Sequence, residues 1–294
     1  MGHGIAQVAA MAGHDVRLRD VEADIVEEGL AAIEENLAGG VEHEKVTPNE
    51  KAATLDRLAG TTSLAEVAAG AGLVIEAVPE DIDLKQDILT DAEALVDSEA
   101  VLATNTSSLS VTEIASALDR PDRFVGLHFF NPVHIMDLVE IVVAEQTDGE
   151  TLAAAHEFAE GVGKTAVEVK DSPGFASSRL GVALGVEAMR MVEEGVATPR
   201  DIDTAMELGY NHPMGPIELG DVVGLDVRLD ILEYLRAELG ERFRPPQVLK
   251  RKVRAGKLGK KSGEGFYVWE DGEVVGPGGD WGGSETDGDG GDDR

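Results

Sequence analysis

His128 lies inside an apolar run, Gly126-Leu127-His128-Phe129-Phe130-Asn131-Pro132, and Glu140 follows across a short loop within a second apolar run. Imidazole titrates nearest neutral pH, so it suits taking a hydroxyl proton while hydride leaves the same carbon. A carboxylate on its far nitrogen would fix the tautomer and stabilise the imidazolium that forms. Ser107, in Asn105-Thr106-Ser107-Ser108, adds a hydroxyl able to hydrogen-bond a substrate oxygen. These types in this order fit redox chemistry at a secondary alcohol. Each also has a plainer reading. A lone histidine is often structural, Glu140 alternates with apolar neighbours and could face water, and Ser107 could be a helix N-cap, although Glu113 is too far along for a capping box. His134, in the loop, is a rival base that the pattern places in solvent.

The elements that must position these groups alternate. Short apolar runs at residues 14–20, 72–78, 100–104, 123–129 and 138–143 predict strands, with helical patterns at 21–37 and 84–96. Such alternation predicts a largely parallel sheet covered by helices. The connection between the last two strands is too short for a helical crossover, so that pair is expected to be antiparallel. His128 then sits at a strand's C-terminal end, where open α/β sheets bind ligands. After Asp171 the character changes. Ser172-Pro173-Gly174 breaks the chain and a long helix follows, with Leu180, Leu184, Ala188 and Met191 on one stripe. Further helices fit residues 199–208, 225–239 and 246–255. The expected division is an α/β domain over 1–171, an all-helical domain over 172–275, and a disordered acidic tail over 276–294.

The first residues, Met1-Gly2-His3-Gly4-Ile5-Ala6, open a helix with no strand before it. A strand ending in Asp20 follows. In a dinucleotide-binding unit a strand leads into G-x-G-x-x-G, a helix, and a second strand ending in an acid roughly 20 residues on. Gly2 fits the third glycine, where helix and sheet pack closely. The expectation is that the first strand and two glycines are missing and that Met1 is an internal methionine. Asp20 can bond the ribose hydroxyls of NAD, while Arg17 and Arg19 leave room for NADP.

Composition narrows the class. The 57 acidic and 25 basic residues give a net charge of -32, which opposes nucleic acid and anionic membranes. Self-repulsion of this size is relieved by salt, pointing to a salt-adapted cytoplasm. There is no cysteine, hence no disulfide and no thiolate ligand, and no metal site is expected. No apolar run approaches the roughly 18 residues of a membrane span, and no secretory signal opens the chain. Seven basic residues crowd residues 250–261 without an acid, a candidate site for ligand phosphates.

The His-Phe-Phe-Asn-Pro segment, Asp171-Ser172-Pro173-Gly174-Phe175 and Gly263-Glu264-Gly265-Phe266-Tyr267 together resemble the 3-hydroxyacyl-CoA dehydrogenase family, and the likeness runs to about Val268. The resemblance implies a Rossmann-like doubly wound sheet (here lacking its first strand), a helical C-terminal domain, NAD as cofactor, an acyl-CoA substrate and a homodimer. It implies His128 as base, Glu140 as its partner and Ser107 as a substrate contact. It places Asn105 and Asn131 near the nicotinamide, and Glu80, Lys85 and Lys261 on the cofactor side. Where the family carries Asn before an Arg, this chain has Ser178, a shorter donor. The acidity suggests a member of haloarchaeal type. Two other readings compete: a non-catalytic relative on the same fold, and a dehydrogenase of a 3-hydroxy acid lacking the CoA arm.

Overall fold

The computed structural model describes residues 1–279 and 281. The chain divides into two compact units, one ending at Phe175 and the other beginning at Ala176. The first unit opens with helix α1 (Gly2–Met11), strand β1 (Val16–Arg19), α2 (Ala23–Glu42), α3 (Pro48–Leu55), β2 (Leu58–Thr61) and α4 (Leu64–Ala68). It continues with β3 (Leu73–Glu76), α5 (Ile82–Glu93), β4 (Val101–Thr104), α6 (Val111–Ala115), β5 (Phe124–Phe129), β6 (Leu138–Val143), α7 (Gly149–Gly161) and β7 (Thr165–Lys170). Local chemistry sets several boundaries. Thr47 and Glu50 form a capping box with Pro48 at the first helical turn of α3, and the Asp81 side chain accepts the Leu84 amide to start α5.

Five strands form one sheet in the order β3-β4-β5-β6-β7, while β1 and β2 pair separately as a two-stranded parallel sheet. β3, β4 and β5 run parallel, β6 is antiparallel to β5 as expected, and β7 is parallel to β6. Helices cover both faces of the larger sheet. On one, Ile5, Val8, Ala9, Ala155 and Ala159 pack against Val101, Ala103, Val125, Leu127 and Ile141. On the other, Leu89, Val111 and Ile114 pack against Leu102, Phe124 and Val142. Every residue of β4 and β5 is buried, the mark of strands covered on both sides. Burying each large aliphatic side chain contributes about 1.5–3 kcal/mol.

The second unit contains α8 (Ser177–Glu193), α9 (Pro199–Tyr210), α10 (Pro216–Val223), α11 (Leu225–Leu239) and α12 (Gln247–Arg254), then strands β8 (Tyr267–Glu270) and β9 (Glu273–Pro277). It is therefore helical but not all-helical. The closing hairpin forms because Asp271-Gly272, both with positive φ, makes a two-residue turn between short β-prone runs. Gly276 and Pro277, expected in a disordered tail, belong to this hairpin; Asp280 and residues 282–294 lie outside the described residues. The α8 stripe also differs from expectation. Val182, Val186 and Met189 face the core, whereas Leu180 is 71% exposed and Leu184 is also exposed.

Candidate active site

Strand register places His128 directly opposite Glu140. Both side chains are buried, and His128 Nδ1 lies 2.8 Å from Glu140 Oε2. A carboxylate only accepts, so Nδ1 carries the proton and Nε2 holds the lone pair that a base requires. The Phe130 and Phe175 rings flank the imidazole at 4.5 and 5.8 Å. The end of β5 is fixed by the Phe129 amide donating to Asn105 Oδ1 at 2.9 Å, which leaves the Asn105 amide hydrogens for other partners. His134 is exposed, and its pKa is lowered by partial burial and by the charge of Lys164. His134 thus lies in solvent as expected, while Glu140 is buried and does not face water.

The loop between β5 and β6 begins with exposed Asn131, joined to Pro132 by a cis peptide bond. Lys164, which sequence reasoning missed, donates from Nζ to the Val133 carbonyl at 2.8 Å and holds this loop. Burial lowers its pKa, opposed by Asp137. Val133 in turn presses on α1. A Cβ added at Gly4 would sit 2.9 Å from the Val133 side chain, whereas one at Gly2 would meet Leu18 and Ala77 at ordinary distances of 3.7 and 3.9 Å. The close approach expected at Gly2 thus falls at Gly4.

After β4, Ser107 donates from both its amide and its hydroxyl to Glu80 Oε1, at 2.6 and 2.8 Å. It is not an N-cap; Ser110 caps α6 instead. Lys85 is only 1% exposed, with Nζ 2.8 Å from Glu76 Oε1 and 3.4 Å from Glu80 Oε2. The side chain expected to line the cofactor is therefore turned inward. Glu76, which the sequence did not single out, also accepts the Thr104 hydroxyl at 2.6 Å.

The residues present fit a dinucleotide. Asp20, directly after β1, spends one carboxylate oxygen on the Val21 amide, and the first turn of α1 carries no acid that would repel a phosphate. Asp20, the start of α1, Asn105 and Asn131 are the groups that would hold it.

In the helical unit, Ser178 occupies the first turn of α8. Lys261 pairs with Asp226 at 2.6 Å within that unit. Several other cations of the basic segment are engaged within the chain as well. Lys250 meets Glu233, Lys257 meets Glu264, Lys260 stacks over Trp269, and Lys252 is buried against the Gly265 and Gly278 carbonyls. Burial lowers the Lys252 pKa to about 8, with Asp221 opposing. An open cluster awaiting phosphates was expected from the bare run; acids pair with four of its seven cations, Lys250, Arg251, Lys257 and Lys261. Sequence reasoning also missed two fully buried carboxylates. Asp221 accepts from the Phe266 and Tyr267 amides and Trp269 Nε1, and Asp203 from the Ile217 and Glu218 amides and the Tyr267 hydroxyl. Among the described residues no group of His, Cys, Asp or Glu is arranged to hold a metal ion, and no helix is long and apolar enough to cross a membrane.

Comparison with known proteins agrees with this geometry. The family model described as 3-hydroxyacyl-CoA dehydrogenase, NAD binding domain, matches residues 1–172, and its C-terminal domain counterpart matches 174–269. A probable 3-hydroxybutyryl-CoA dehydrogenase of Bacillus subtilis is 45% identical over 272 residues, covering 92% of this chain and 94% of its own. The mitochondrial hydroxyacyl-coenzyme A dehydrogenase of Rattus norvegicus is 43% identical, covering 92% and 88%. The crystal structure of (S)-3-hydroxybutyryl-CoA dehydrogenase PaaH1 from Ralstonia eutropha superposes with a TM-score of 0.88 at 40% identity, covering 92% and 95%. With the two domain models matched over residues 1–172 and 174–269 and the imidazole–carboxylate pair in place, the chain belongs to the 3-hydroxyacyl-CoA dehydrogenase family.

Proposed function

We propose that the protein interconverts 3-hydroxyacyl-CoA and 3-ketoacyl-CoA with NAD, the pathway being fatty-acid or short-chain hydroxyacyl-CoA metabolism. The carrying observation is the buried 2.8 Å contact between His128 Nδ1 and Glu140 Oε2, which leaves Nε2 as the base. His128 takes the substrate hydroxyl proton at Nε2, and Glu140 stabilises the resulting imidazolium. NAD supplies the hydride acceptor. Ser107 meets the reacting oxygen. In the reverse direction the His128 imidazolium returns its proton to the ketone oxygen. The names of the relatives support this substrate class.

The test uses the purified chain in molar KCl with NADH and acetoacetyl-CoA. NADH absorbance should fall, and His128→Gln should slow it by roughly 10²–10⁴-fold, the usual worth of general acid–base catalysis. Absence of turnover, or unchanged turnover in the variant, overturns the reading.

One observation favours a second reading, a dehydrogenase of a 3-hydroxy acid without the CoA arm. The basic segment expected to grip phosphates is largely paired internally. Comparing acetoacetyl-CoA with acetoacetate decides it. A free acid turned over as well as the thioester would favour this second reading.

Three further features belong to the proposal. The exposed Leu180 and Leu184 on α8, with Val222, Val223 and Val227, suit a homodimer face; sedimentation at a single-chain mass would exclude it. The net charge of -32 suits a cell of high internal salt, such as a haloarchaeon; thermal stability should then rise steadily towards molar KCl. A cytoplasmic location fits both the cofactor and the absence of any cysteine.

A further inference from the structure

The turn that follows β5 is closed on itself. Ile135 and Met136 both donate their amides to the Pro132 carbonyl at 3.0 Å, so residues 132–136 move as one body. Contacts to the rest of the α/β unit fix that body. The Val133 side chain is 2% exposed and packs on α1 at Gly4. The Val133 carbonyl accepts Lys164 Nζ at 2.8 Å, and the Asp137 carbonyl accepts the Thr165 amide at 2.7 Å. Asn131 stands just before the turn, exposed. On its other side the Phe129 amide is tied to Asn105 Oδ1 at 2.9 Å. Asn131 is thus held between two tethers, one at Asn105 and one at Lys164.

The second tether starts from a rigid point. The Lys164 amide donates to the Ala159 carbonyl at 2.9 Å and closes the end of α7. Gly163, with φ of 74°, lets the chain turn there, and Thr165 at once enters the β6–β7 ladder opposite Leu138. The side chain grows from this junction into the interior, where Lys164 is 9% exposed. Burial disfavours its charge and Asp137 only partly offsets that. A methionine would fill similar space without desolvating an ammonium, so packing alone does not call for a lysine. What the ammonium adds is a charge-assisted bond to a carbonyl, stronger than a neutral donor would make.

We propose that Lys164 is a positioning residue: by holding the Val133 carbonyl it fixes the turn that presents Asn131 to the nicotinamide end of the dinucleotide. The proposal rests on the dehydrogenase reading above. The Asn131 amide can both donate and accept, which suits a carboxamide. The adenosine end is left to Asp20 and α1, which do not depend on this tether. Loosening the turn therefore spoils the hold on one end of the cofactor and spares the other. It also lets the nicotinamide ring wander from the pose in which hydride reaches the substrate carbon, and catalysis falls steeply with such misplacement.

The experiment measures dissociation constants of NADH and of ADP-ribose, which lacks the nicotinamide, by calorimetry in molar KCl. The proteins are the unsubstituted chain, Lys164→Met, Asn131→Ala and the double variant, each checked by circular dichroism. Lys164→Met should weaken NADH by roughly tenfold, the upper worth of one neutral hydrogen bond, and leave ADP-ribose unchanged. With acetoacetyl-CoA, kcat should fall at least as far while KM for the thioester holds. In the Asn131→Ala background the same substitution should change the NADH constant by less than about twofold, since both act through one contact. If Lys164→Met does not fold, Val133→Ala loosens the same turn from the α1 side and should move the NADH to ADP-ribose ratio in the same direction by less. A lysine that merely props the fold would lower the melting temperature and leave that ratio where it stands. An unmoved ratio in the folded variant, or an equal loss of NADH affinity without Asn131, overturns the proposal. Absence of thioester turnover by the unsubstituted chain overturns the dehydrogenase reading instead; the ratio of the two constants needs no thioester and still decides the role of Lys164.

Discussion

Buried carboxylates serve the two units differently. In the α/β unit, Glu140 faces an imidazole and Glu76 an ammonium. In the helical unit, Asp203 and Asp221 face backbone amides, an indole and a phenol. All four are buried. Glu140 meets a partner whose proton moves in the proposed step, which is what proton transfer needs, while Glu76 balances a buried ammonium. The second pair meets donors that keep their protons, so the carboxylate acts as a strut tying α10 to the final hairpin and α9 to the start of α10. Burial pushes the Asp203 and Asp221 carboxyls above their ordinary values, with the donors pulling them partly back. The Tyr267 phenol is raised as well, by burial first and then by Asp203. Partner chemistry, rather than depth, separates a working carboxylate from a structural one.

The sharpest way to break this comparison is at Glu140. Glu140→Gln should cut turnover of acetoacetyl-CoA by roughly 10²–10⁴-fold through loss of the correct His128 tautomer, with little change in melting temperature. A variant that unfolds before it loses activity would make Glu140 a strut like the aspartates. Next comes Asp221→Ala, which strips three buried donors of their acceptor. It should cost about 3–5 kcal/mol of stability, read by denaturant unfolding. Gly265→Ala should act on the same spot, since the added Cβ would lie 2.2 Å from Asp221 Oδ1. Asp221→Asn should cost less than Asp221→Ala, because the amide keeps one acceptor while turning a donor toward donors.

The smallest effect concerns pH. A carboxyl raised in the folded state binds its proton more tightly there than in the unfolded chain. Its stabilisation is full below the ordinary value of about 3.9 and is lost as pH climbs through the raised folded value. In molar KCl, which screens the net charge, melting should therefore fall slightly from mildly acidic to neutral pH. The slope should flatten in Asp221→Asn. An unchanged slope there would assign the pH dependence to other groups.

The working pair was legible in the sequence because its geometry is local. Two apolar runs joined by a short loop can only fold back, and antiparallel register then brings residues 128 and 140 face to face. The struts were not legible. Asp203 and Asp221 sit on helices, and nothing in their spacing says that residues 266–269 will return to cover them. The only trace is Gly265, a residue without a side chain where Asp221 needs room. The basic run at 250–261 misled for the same reason. Its counter-charges, Asp226 and Glu233, come from another helix, so pairing was invisible along the chain. Edge strand β7, TAVEVK, alternates with period two yet was not among the five predicted strands. The four-residue β2, Leu-Ala-Gly-Thr, was too short and glycine-weakened to stand out.

The separation of β1–β2 from the five-stranded sheet has a mechanical consequence. Asp20 rides on the smaller ribbon, whereas Asn105 and His128 ride on the larger one. Among the described residues no backbone ladder joins these platforms; apolar side chains such as Val16, packed with α1 against the larger sheet, do so instead. A dinucleotide gripped at both ends would act as a cross-brace between them. Amide hydrogens of Val16–Arg19 and Leu58–Thr61 should then be the ones whose exchange slows most when NADH is added, well beyond the residues it touches.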